Sequence, residues 1–262
     1  MSDPYYDDGT CVIYHGDCRE VMADLGPGGF DLVITSPPYN LGVSSGGSFG
    51  HYKWNANMKA RGGGGKWHGG DLANGYADHD DAMPPAEYEA WQSDVLRDCW
   101  DQLRDDGAIY YNHKPRVQSG SLWTPLILNP GLPVRQIITW ARAGGINFAP
   151  THYCPTYEWV IVFARPSFRL ASKGASGVGD VWRILQEAGT EHPAPFPLGL
   201  PARVIETTSP SDVLDPFLGS GTTLRAAKNA GVRGVGIELS ERYCEIAAKR
   251  LAQEVLDFGG TR

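Results

Sequence analysis

A proline pair that closes a short apolar run is the first feature of this chain that could support chemistry. Residues 32–35 are apolar or β-branched, and Ser36, Pro37, Pro38 and Tyr39 follow them. Because proline fixes φ and lacks an N–H, the pair leaves rigid carbonyl acceptors beside an aromatic ring. Such acceptors suit a flat base with an exocyclic amino group, on which the tyrosine stacks while the carbonyls and the serine hydroxyl hold the amino hydrogens. The nitrogen lone pair then turns towards an electrophile, so these four residues are predicted to be catalytic; core packing of Tyr39 is the alternative.

A glycine turn in the last quarter of the chain is the second such feature. The stretch VLDPFLGSGTT reads as strand, turn and helix, and Gly219 and Gly221 allow the backbone to fold tightly against a ligand. Asp215 ends this strand and Glu238 ends the next, where an acid can bind the hydroxyls of a ribose. A nucleoside cofactor is therefore predicted, with a bare structural turn as the alternative. The third glycine of the dinucleotide fingerprint is missing, which disfavours an NAD-dependent Rossmann oxidoreductase.

The elements that must position these residues follow from the hydrophobic pattern. Predicted strands are 12–14, 31–35, 108–111, 136–140, 159–164, 213–215 and 235–238. Predicted helices are 18–25, one from Pro84 and Pro85 that Gly107 ends, 201–207, 222–230 closed by Gly231, and one that Ser240 caps and that runs to about 256. Residues 167–189 read as a loop. The alternation predicts an α/β fold with a doubly wound, mostly parallel sheet, in which 136–140 and 159–164 form an antiparallel hairpin at one edge.

The formal net charge is −7 over 262 residues, but the basic residues are unevenly distributed along the chain. The Gly-rich stretch 42–83 carries Lys53, Lys59, Arg61 and Lys66, and no acid precedes Asp71 within it. Between residues 107 and 173 the sequence has seven basic residues and a single acid, Glu158. One basic face that meets nucleic-acid phosphates is predicted, with ordinary surface scatter as the alternative.

The motifs together resemble those of a known family. TSPPYN (35–40) is similar to the catalytic (D/N/S)PP(Y/F) motif of S-adenosylmethionine-dependent amino-methyltransferases, and DPFLGSGTT resembles their cofactor motif. The catalytic motif comes first, as in the permuted beta group that methylates DNA. HGDC (15–18), GAIYYN (107–112) and YEWVIVFAR (157–165) resemble further segments of that group, so the resemblance covers roughly residues 11 to 256.

The resemblance implies one methyltransferase domain over 1–262, circularly permuted and of the class I type, with S-adenosyl-L-methionine as cofactor and no metal. The implied cofactor-binding residues are Asp17, Thr35, Asp215, Phe217, Gly219, Ser220, Gly221, Thr222 and Glu238. Asp17 could instead be a plain helix N-cap. The segment HPAPFP (192–197) departs from the family's pattern at its second half, and the possible target-recognition segment, 166–191, is short. Stretch 42–83 is therefore predicted to share in DNA binding.

The predicted reaction is site-specific methylation of an exocyclic amine on a flipped base in double-stranded DNA. Ser36 favours cytosine N4, because aspartate is commoner at this position in adenine-N6 enzymes of the family; adenine N6 stays the alternative. An RNA amino-methyltransferase and an NAD-dependent oxidoreductase are the other functions considered. A cognate restriction endonuclease, a monomeric or homodimeric state, a cytoplasmic location and no membrane contact are also expected.

Overall fold

The computed structural model describes residues 3–40, 83–118, 120–142, 150–185 and 197–253. The strands are β1 (Tyr6–Asp7), β2 (Cys11–His15), β3 (Phe30–Thr35), β4 (Leu103–His113), β5 (Arg116–Gln118), β6 (Ser121–Trp123), β7 (Val134–Ala141), β8 (Tyr157–Ala164), β9 (Val181–Arg183), β10 (Asp212–Asp215) and β11 (Arg233–Glu238). The helices are α1 (Cys18–Leu25), α2 (Pro85–Asp101), α3 (Lys173–Ser176), α4 (Gly199–Thr208), α5 (Thr222–Asn229) and α6 (Glu241–Ala252), and Pro125–Leu128 forms a 3-10 turn. Within these ranges every helix is too short or too polar to cross a bilayer.

One nine-stranded sheet holds most of the strands, in the order β1-β2-β11-β10-β3-β4-β8-β7-β9. The five central strands from β2 to β4 run parallel to one another, and β8 pairs antiparallel with both β4 and β7. The predicted α/β fold with a mostly parallel sheet and an antiparallel hairpin is therefore confirmed. The order places β10 beside β3, although the two strands lie far apart in the chain.

Helices cover both faces of the sheet, and the strands are buried on both sides. Val33 packs with α1 and α2, whereas Leu32 and Ile34 pack with α4 and α5 on the opposite face. This alternation is the two-residue period of a strand, and burial on both faces explains why β3 reads as a continuous apolar run. A third cluster joins α6 to β2 and α5 through Cys11, Leu224, Ala247 and neighbouring residues.

Three sequence predictions about elements are wrong. Gly107 does not end α2: the helix ends at Asp101, and Gly107 lies inside β4, where a Cβ would approach the Asp31 carbonyl oxygen to 2.9 Å. Residues 167–189 are not all loop, because they contain α3 and the strand β9. That strand pairs with β7 and forms the outer edge, so the predicted hairpin lies one strand further in. Such short elements carry too few residues for a periodicity to show.

Ser240 occupies the N-cap position of α6, but its side chain makes no capping hydrogen bond. Its backbone N–H instead donates to Glu238 Oε1 at 2.9 Å. The helix ends at Ala252, and residues 254–262 lie outside the described part of the chain. Ser240 is therefore the N-cap residue, as predicted, although its side chain does not take part in the cap, and Gly231 closes α5 with a φ of +70°.

Candidate active site

The carboxyl ends of the central parallel strands meet at one edge of the sheet. Ser36 follows β3, the glycine turn follows β10, Glu238 ends β11, Asp17 follows β2, and Asn112 lies near the end of β4. Ligands bind at this edge in open α/β sheets, particularly where the order of the strands reverses. The topology thus brings the two sequence motifs to one place.

Thr35 and Asp215 connect the two motifs directly. The Thr35 hydroxyl donates to Asp215 Oδ1 at 2.8 Å, across 180 residues of chain. The Phe217 N–H donates to the same carboxylate oxygen at 3.1 Å, which folds the glycine turn back over the strand end. Both side chains of the pair are buried, so the link between the catalytic and cofactor motifs lies inside the protein.

Glu238 closes the other side of the glycine turn. Its Oε2 accepts a hydrogen bond from the Gly219 N–H at 2.7 Å, and its backbone oxygen accepts from the Gly16 N–H at 3.0 Å. The second of these contacts places Asp17 beside the end of β11. Gly221 has a φ of +82°, and a Cβ there would lie 3.0 Å from Ala247 Cβ. The turn therefore requires glycine at position 221 for both backbone and packing reasons.

The remaining predicted cofactor residues have structural contacts of their own. Asp17 caps α1, with its Oδ1 accepting from the N–H groups of Arg19 at 2.8 Å and Glu20 at 3.3 Å. Arg250 donates to the Thr222 hydroxyl at 2.9 Å and lies 3.5 Å from the Ser220 hydroxyl. These side chains shape the loop, and their role as cofactor contacts stays a prediction.

Burial governs the electrostatics of the two acids. Removal from water raises the pKa of Asp215 to about 6, against the lowering effect of hydrogen bonds from Thr35 and Phe217. Burial likewise raises the pKa of Glu238, and the nearby charge of Asp215 adds to this effect. Among the described residues no lysine or arginine pairs with either carboxylate. A ligand that brings positive charge or hydroxyl donors would stabilise both acids in their ionised form.

A buried histidine and tyrosine hold the backbone of the proline pair. The Lys114 N–H donates to His113 Nδ1 at 2.8 Å, so the ring proton of the neutral imidazole lies on Nε2. That nitrogen lies 2.8 Å from Tyr88 Oη, whose own proton goes to the Pro38 carbonyl at 2.8 Å. Burial lowers the pKa of His113 to about 3, which keeps the ring neutral and this direction of donation intact.

Tyr39 lies in a polar cluster at the mouth of the site. Its hydroxyl donates to Glu158 Oε2 at 3.0 Å and lies 3.0 Å from the Ser36 hydroxyl. The Asn112 amide donates to Tyr39 Oη at 2.6 Å and to Glu158 Oε2 at 3.0 Å. Arg142 completes the cluster through an ion pair with Glu158 Oε1 at 3.1 Å. The tyrosine ring itself stacks on His113, with ring centroids 4.4 Å apart.

Arg116 anchors the loop from the solvent side. Its guanidinium donates to the Tyr39 carbonyl at 2.8 Å and lies 4.2 Å from the centre of the Trp123 ring. The carbonyls of Pro38 and Tyr39 are thus both occupied by protein donors. The backbone after the proline pair is therefore held from two sides, by Tyr88 and by Arg116.

The structure brings together most of the residues that the sequence singles out. Ser36, Pro37, Pro38 and Tyr39 follow Thr35, whose hydroxyl contacts Asp215 at the end of β10. The Tyr39 side chain itself contacts Glu158, Asn112 and His113 of β4 and β8. The predicted DNA-binding residues Lys53, Lys59, Arg61 and Lys66 lie outside the described residues, as do most of stretch 42–83 and the end of segment 166–191. The segment 192–197 is described only at Pro197.

Sequence reasoning missed Glu158, Arg142, Arg116 and Tyr88 as parts of the site. For Glu158 a signal existed, because it is the only acid between residues 107 and 173. A lone buried acid in a strand requires a partner, and its position next to an apolar run predicts burial. Tyr88 belongs to an apolar helical stripe, where nothing in the pattern separates a core tyrosine from one that binds the catalytic loop.

Known proteins match this chain over most of its length. A family model described as DNA methylase, of the N6/N4 methyltransferase type, matches residues 30–249. Type II methyltransferase M.ScaI from Streptomyces caespitosus is 31% identical, over 97% of this chain and 85% of its own length. Type II methyltransferase M.BglII from Bacillus subtilis is 27% identical, over 92% of this chain and 69% of its own length.

Solved structures share the fold. PvuII DNA methyltransferase, described as cytosine-N4-specific, superposes with a TM-score of 0.72 at 17% identity, over 96% of this chain and 90% of that one. The complex of M1.HpyAVI with S-adenosylmethionine gives 0.59 at 19% identity, over 92% and 99%. The family match covers most of the sheet and both motifs, and M.ScaI covers nearly the whole chain. The chain therefore belongs to the N6/N4 DNA methylase family.

Proposed function

We propose that this DNA methylase transfers a methyl group from S-adenosyl-L-methionine to the exocyclic amine of a base flipped out of double-stranded DNA, at cytosine N4. The observation that carries the proposal is the 2.8 Å hydrogen bond between Thr35 and Asp215. It places the residue directly before Ser36 against the first acid of the cofactor motif. A base held at Ser36 and a cofactor held at the glycine turn would then be neighbours.

The residues present fit this cofactor. Asp215 and Glu238 are two largely buried acids with raised pKa values and no ion-pair partner among the described residues, which suits a ligand with ribose hydroxyls and positive charge. Gly219 and Gly221 carry no side chain and have φ values of +53° and +82°, so the backbone at these two positions can approach a ligand closely. When bound, S-adenosylmethionine supplies an electrophilic methyl group on a positively charged sulfur. Asp17, Thr35, Phe217, Ser220 and Thr222 complete the proposed contact set.

The chain's own residues prepare the amine for attack. Tyr88 and Arg116 bind the carbonyls of Pro38 and Tyr39, so the backbone that carries the preceding Ser36 and Pro37 carbonyls is fixed in direction. Acceptors at Ser36 and Pro37 would bind the amino hydrogens and reduce conjugation of the nitrogen with the ring. Orientation of this kind, rather than a covalent enzyme intermediate, is the proposed source of rate enhancement.

Cytosine is favoured over adenine by the serine at position 36. Both bases carry an exocyclic amine, and a serine hydroxyl or an aspartate can accept from either. The relatives include PvuII methyltransferase, described as cytosine-N4-specific, and YhdJ from Escherichia coli, described as a DNA adenine methyltransferase at 22% identity. The comparisons thus leave both bases open, and the serine supports the first.

Binding of the duplex is proposed to fall to the basic stretch 42–83 and to the segment 166–191. Phosphate contacts from lysine and arginine would position the DNA, and loop side chains would read the edges of the bases. A partner restriction endonuclease and a monomeric or homodimeric state stay predictions.

Incubation with duplex DNA and methyl-labelled S-adenosylmethionine, followed by nucleoside digestion and mass spectrometry, tests the proposal. The expected product is N4-methylcytosine, and N6-methyladenine alone would contradict the choice of base. Absence of transfer to DNA, with transfer to RNA instead, would contradict the proposed substrate. A Tyr39→Ala variant should lose transfer but still bind the cofactor in isothermal titration.

A further inference from the structure

Glu158 is a buried carboxylate that lies in neither sequence motif yet contacts the catalytic one. It is 6% exposed, and each of its oxygens has defined partners. Oε1 pairs with Arg142 at 3.1 Å, and Oε2 accepts from Tyr39 and from Asn112, both at 3.0 Å. A buried side chain with partners on both oxygens, one of them an arginine, is held in one orientation.

The direction of each hydrogen bond in the cluster follows from this carboxylate. A phenol has one proton, and Tyr39 gives it to Glu158, so the Ser36 hydroxyl must be the donor in its 3.0 Å contact with Tyr39. The Asn112 amide turns its nitrogen towards the carboxylate, because its oxygen would be repelled there. That nitrogen also lies 3.3 Å from Ser36 Oγ, on the acceptor side of the hydroxyl.

These hydrogen-bond directions determine how the Ser36 hydroxyl is oriented. With its proton committed to Tyr39, the serine oxygen presents lone pairs to its other neighbours. An amino group on a bound base needs an acceptor at this place and would be repelled by an O–H that points towards it. Glu158, two hydrogen bonds away, determines whether the base amine faces a lone pair or the O–H of Ser36.

We propose that Glu158 is a positioning residue for methyl transfer: its charge orients the Tyr39 and Ser36 hydroxyls in series, so that Ser36 accepts a hydrogen from the target amine. This inference rests on the proposed function and deepens it. Glu158 acts through Tyr39 and Ser36 and does not itself touch the base.

The variant Glu158→Gln should reverse the direction of the hydrogen bonds that run from Ser36 through Tyr39 to residue 158. Arg142 is a cation, so it attracts the amide oxygen and leaves the amide NH₂ group facing Tyr39. The tyrosine oxygen then accepts from the glutamine, its proton turns to Ser36, and the serine proton turns towards the base. The expected result is a fall in kcat of ~10–100-fold, with the Kd for S-adenosylmethionine within about twofold of wild type.

A double-mutant cycle with Tyr39→Phe separates this role from a structural one. Phenylalanine keeps the ring but removes the hydroxyl through which Glu158 acts, so Tyr39→Phe alone should also lower kcat. In the Glu158→Gln background the same change should cost nothing further or should restore activity, because the misdirected proton is gone. Rate losses that multiply in the double variant would overturn the proposal.

Binding gives a readout that does not depend on turnover. Wild type should bind a duplex with the target amine more tightly than one in which that base is replaced by its analogue without the amino group. Both Glu158→Gln and Tyr39→Phe should lose this preference; if both retain it while kcat falls, the proposal is wrong. Glu245→Gln is the matched control, since Glu245 is an exposed partner of Lys249 on α6. If wild type transfers no methyl group at all, the proposed function fails; if wild type is active and Glu158→Gln is equally active, only this inference fails.

Discussion

Ionisation of the buried Asp215 carboxyl group destabilises the folded protein and favours a ligand that brings positive charge or hydroxyl donors. Its pKa is about 6 in the folded chain, against 3.8 for the free side chain, because it is buried. A raised carboxyl pKa means that the folded state binds protons more tightly than the unfolded state. Its contribution to stability is therefore fully present below pH 4 and is lost as the pH rises through 6.

Replacement of Asp215 by asparagine should therefore stabilise the ligand-free protein at neutral pH, by about 1–3 kcal/mol. The gain over wild type should grow between pH 4 and 6 and stay constant above that range, as followed by urea unfolding. The same variant should bind S-adenosylmethionine far more weakly. A variant that is less stable than wild type at pH 8 would contradict this account of the buried charge.

The Tyr88 hydroxyl should contribute both to stability and to the rate. Tyr88→Phe leaves the Pro38 carbonyl and the His113 Nε2–H without their partner, so a loss of about 1–3 kcal/mol in unfolding free energy is expected. Tyr110→Phe is the control, because Tyr110 is equally buried and its raised pKa has burial as its only cause. The control should retain activity, whereas Tyr88→Phe should lower kcat; equal effects would show that the hydroxyl does not hold the loop.

At the scale of single residues, the sequence predicts those whose chemistry is local. The proline pair and the glycine turn are recognisable because proline and glycine restrict or free the backbone wherever they occur. Glu158 and Tyr88 act through partners from distant segments, and such partners exist only once the sheet has formed. Even so, the absence of other acids around Glu158 was a usable signal, since an isolated buried charge has to be compensated.

The turn between β10 and α5 depends on glycine at position 221 more than at most others. Gly221→Ala would strain a backbone with a φ of +82° and bring a Cβ to 3.0 Å from Ala247. Gly231→Ala is a matched control, because its φ is +70° but nothing lies within 4 Å. The control should lose about 1 kcal/mol from backbone strain alone. Gly221→Ala should lose about 1–3 kcal/mol more in denaturant unfolding, and equal losses would mean that α6 gives way.

At the scale of elements, long periodic segments were predictable and short ones were not. The helices α1 and α5 and the parallel strands have the expected places because their apolar residues repeat over several turns or fill both faces. Gly107 misled because glycine is typical of helix ends, yet here it permits close approach of β4 to the Asp31 carbonyl. The three-residue strand β9 has no period to read, and only pairing with β7 defines it.

At the scale of the whole molecule, the sheet order explains how a permuted chain makes a continuous site. β10 and β3 are adjacent in the sheet. The cofactor motif after β10 and the catalytic motif after β3 therefore lie at the same edge of the sheet, and neither loop has to cross it. The order of the motifs along the chain was readable from the sequence. Their contact through Thr35 and Asp215 was not, because the pairing of β3 with β10 joins segments 180 residues apart, and no local pattern specifies such a pairing.

An acidic protein that binds DNA must concentrate its positive charge. The formal net charge is −7, so uniform attraction to a polyanion is excluded, and the basic stretch 42–83 is the proposed contact. Each phosphate contact contributes a slope of about 0.9 to the fall of log affinity with log salt concentration. Replacement of both Lys59 and Arg61 by alanine should thus reduce the slope by about 2 in fluorescence anisotropy titrations.

Arg97 and Lys249 provide a control with the same change in net charge. Both are exposed and lie on helices α2 and α6, where each pairs with an acid of its own helix. Their replacement by alanine should leave the salt slope unchanged, because charge far from the phosphates is screened beyond ~10 Å. If both double variants lower the slope equally, net charge rather than the stretch 42–83 governs DNA binding. Affinity for S-adenosylmethionine should be unaltered in either variant, since none of the four side chains belongs to the proposed cofactor contact set.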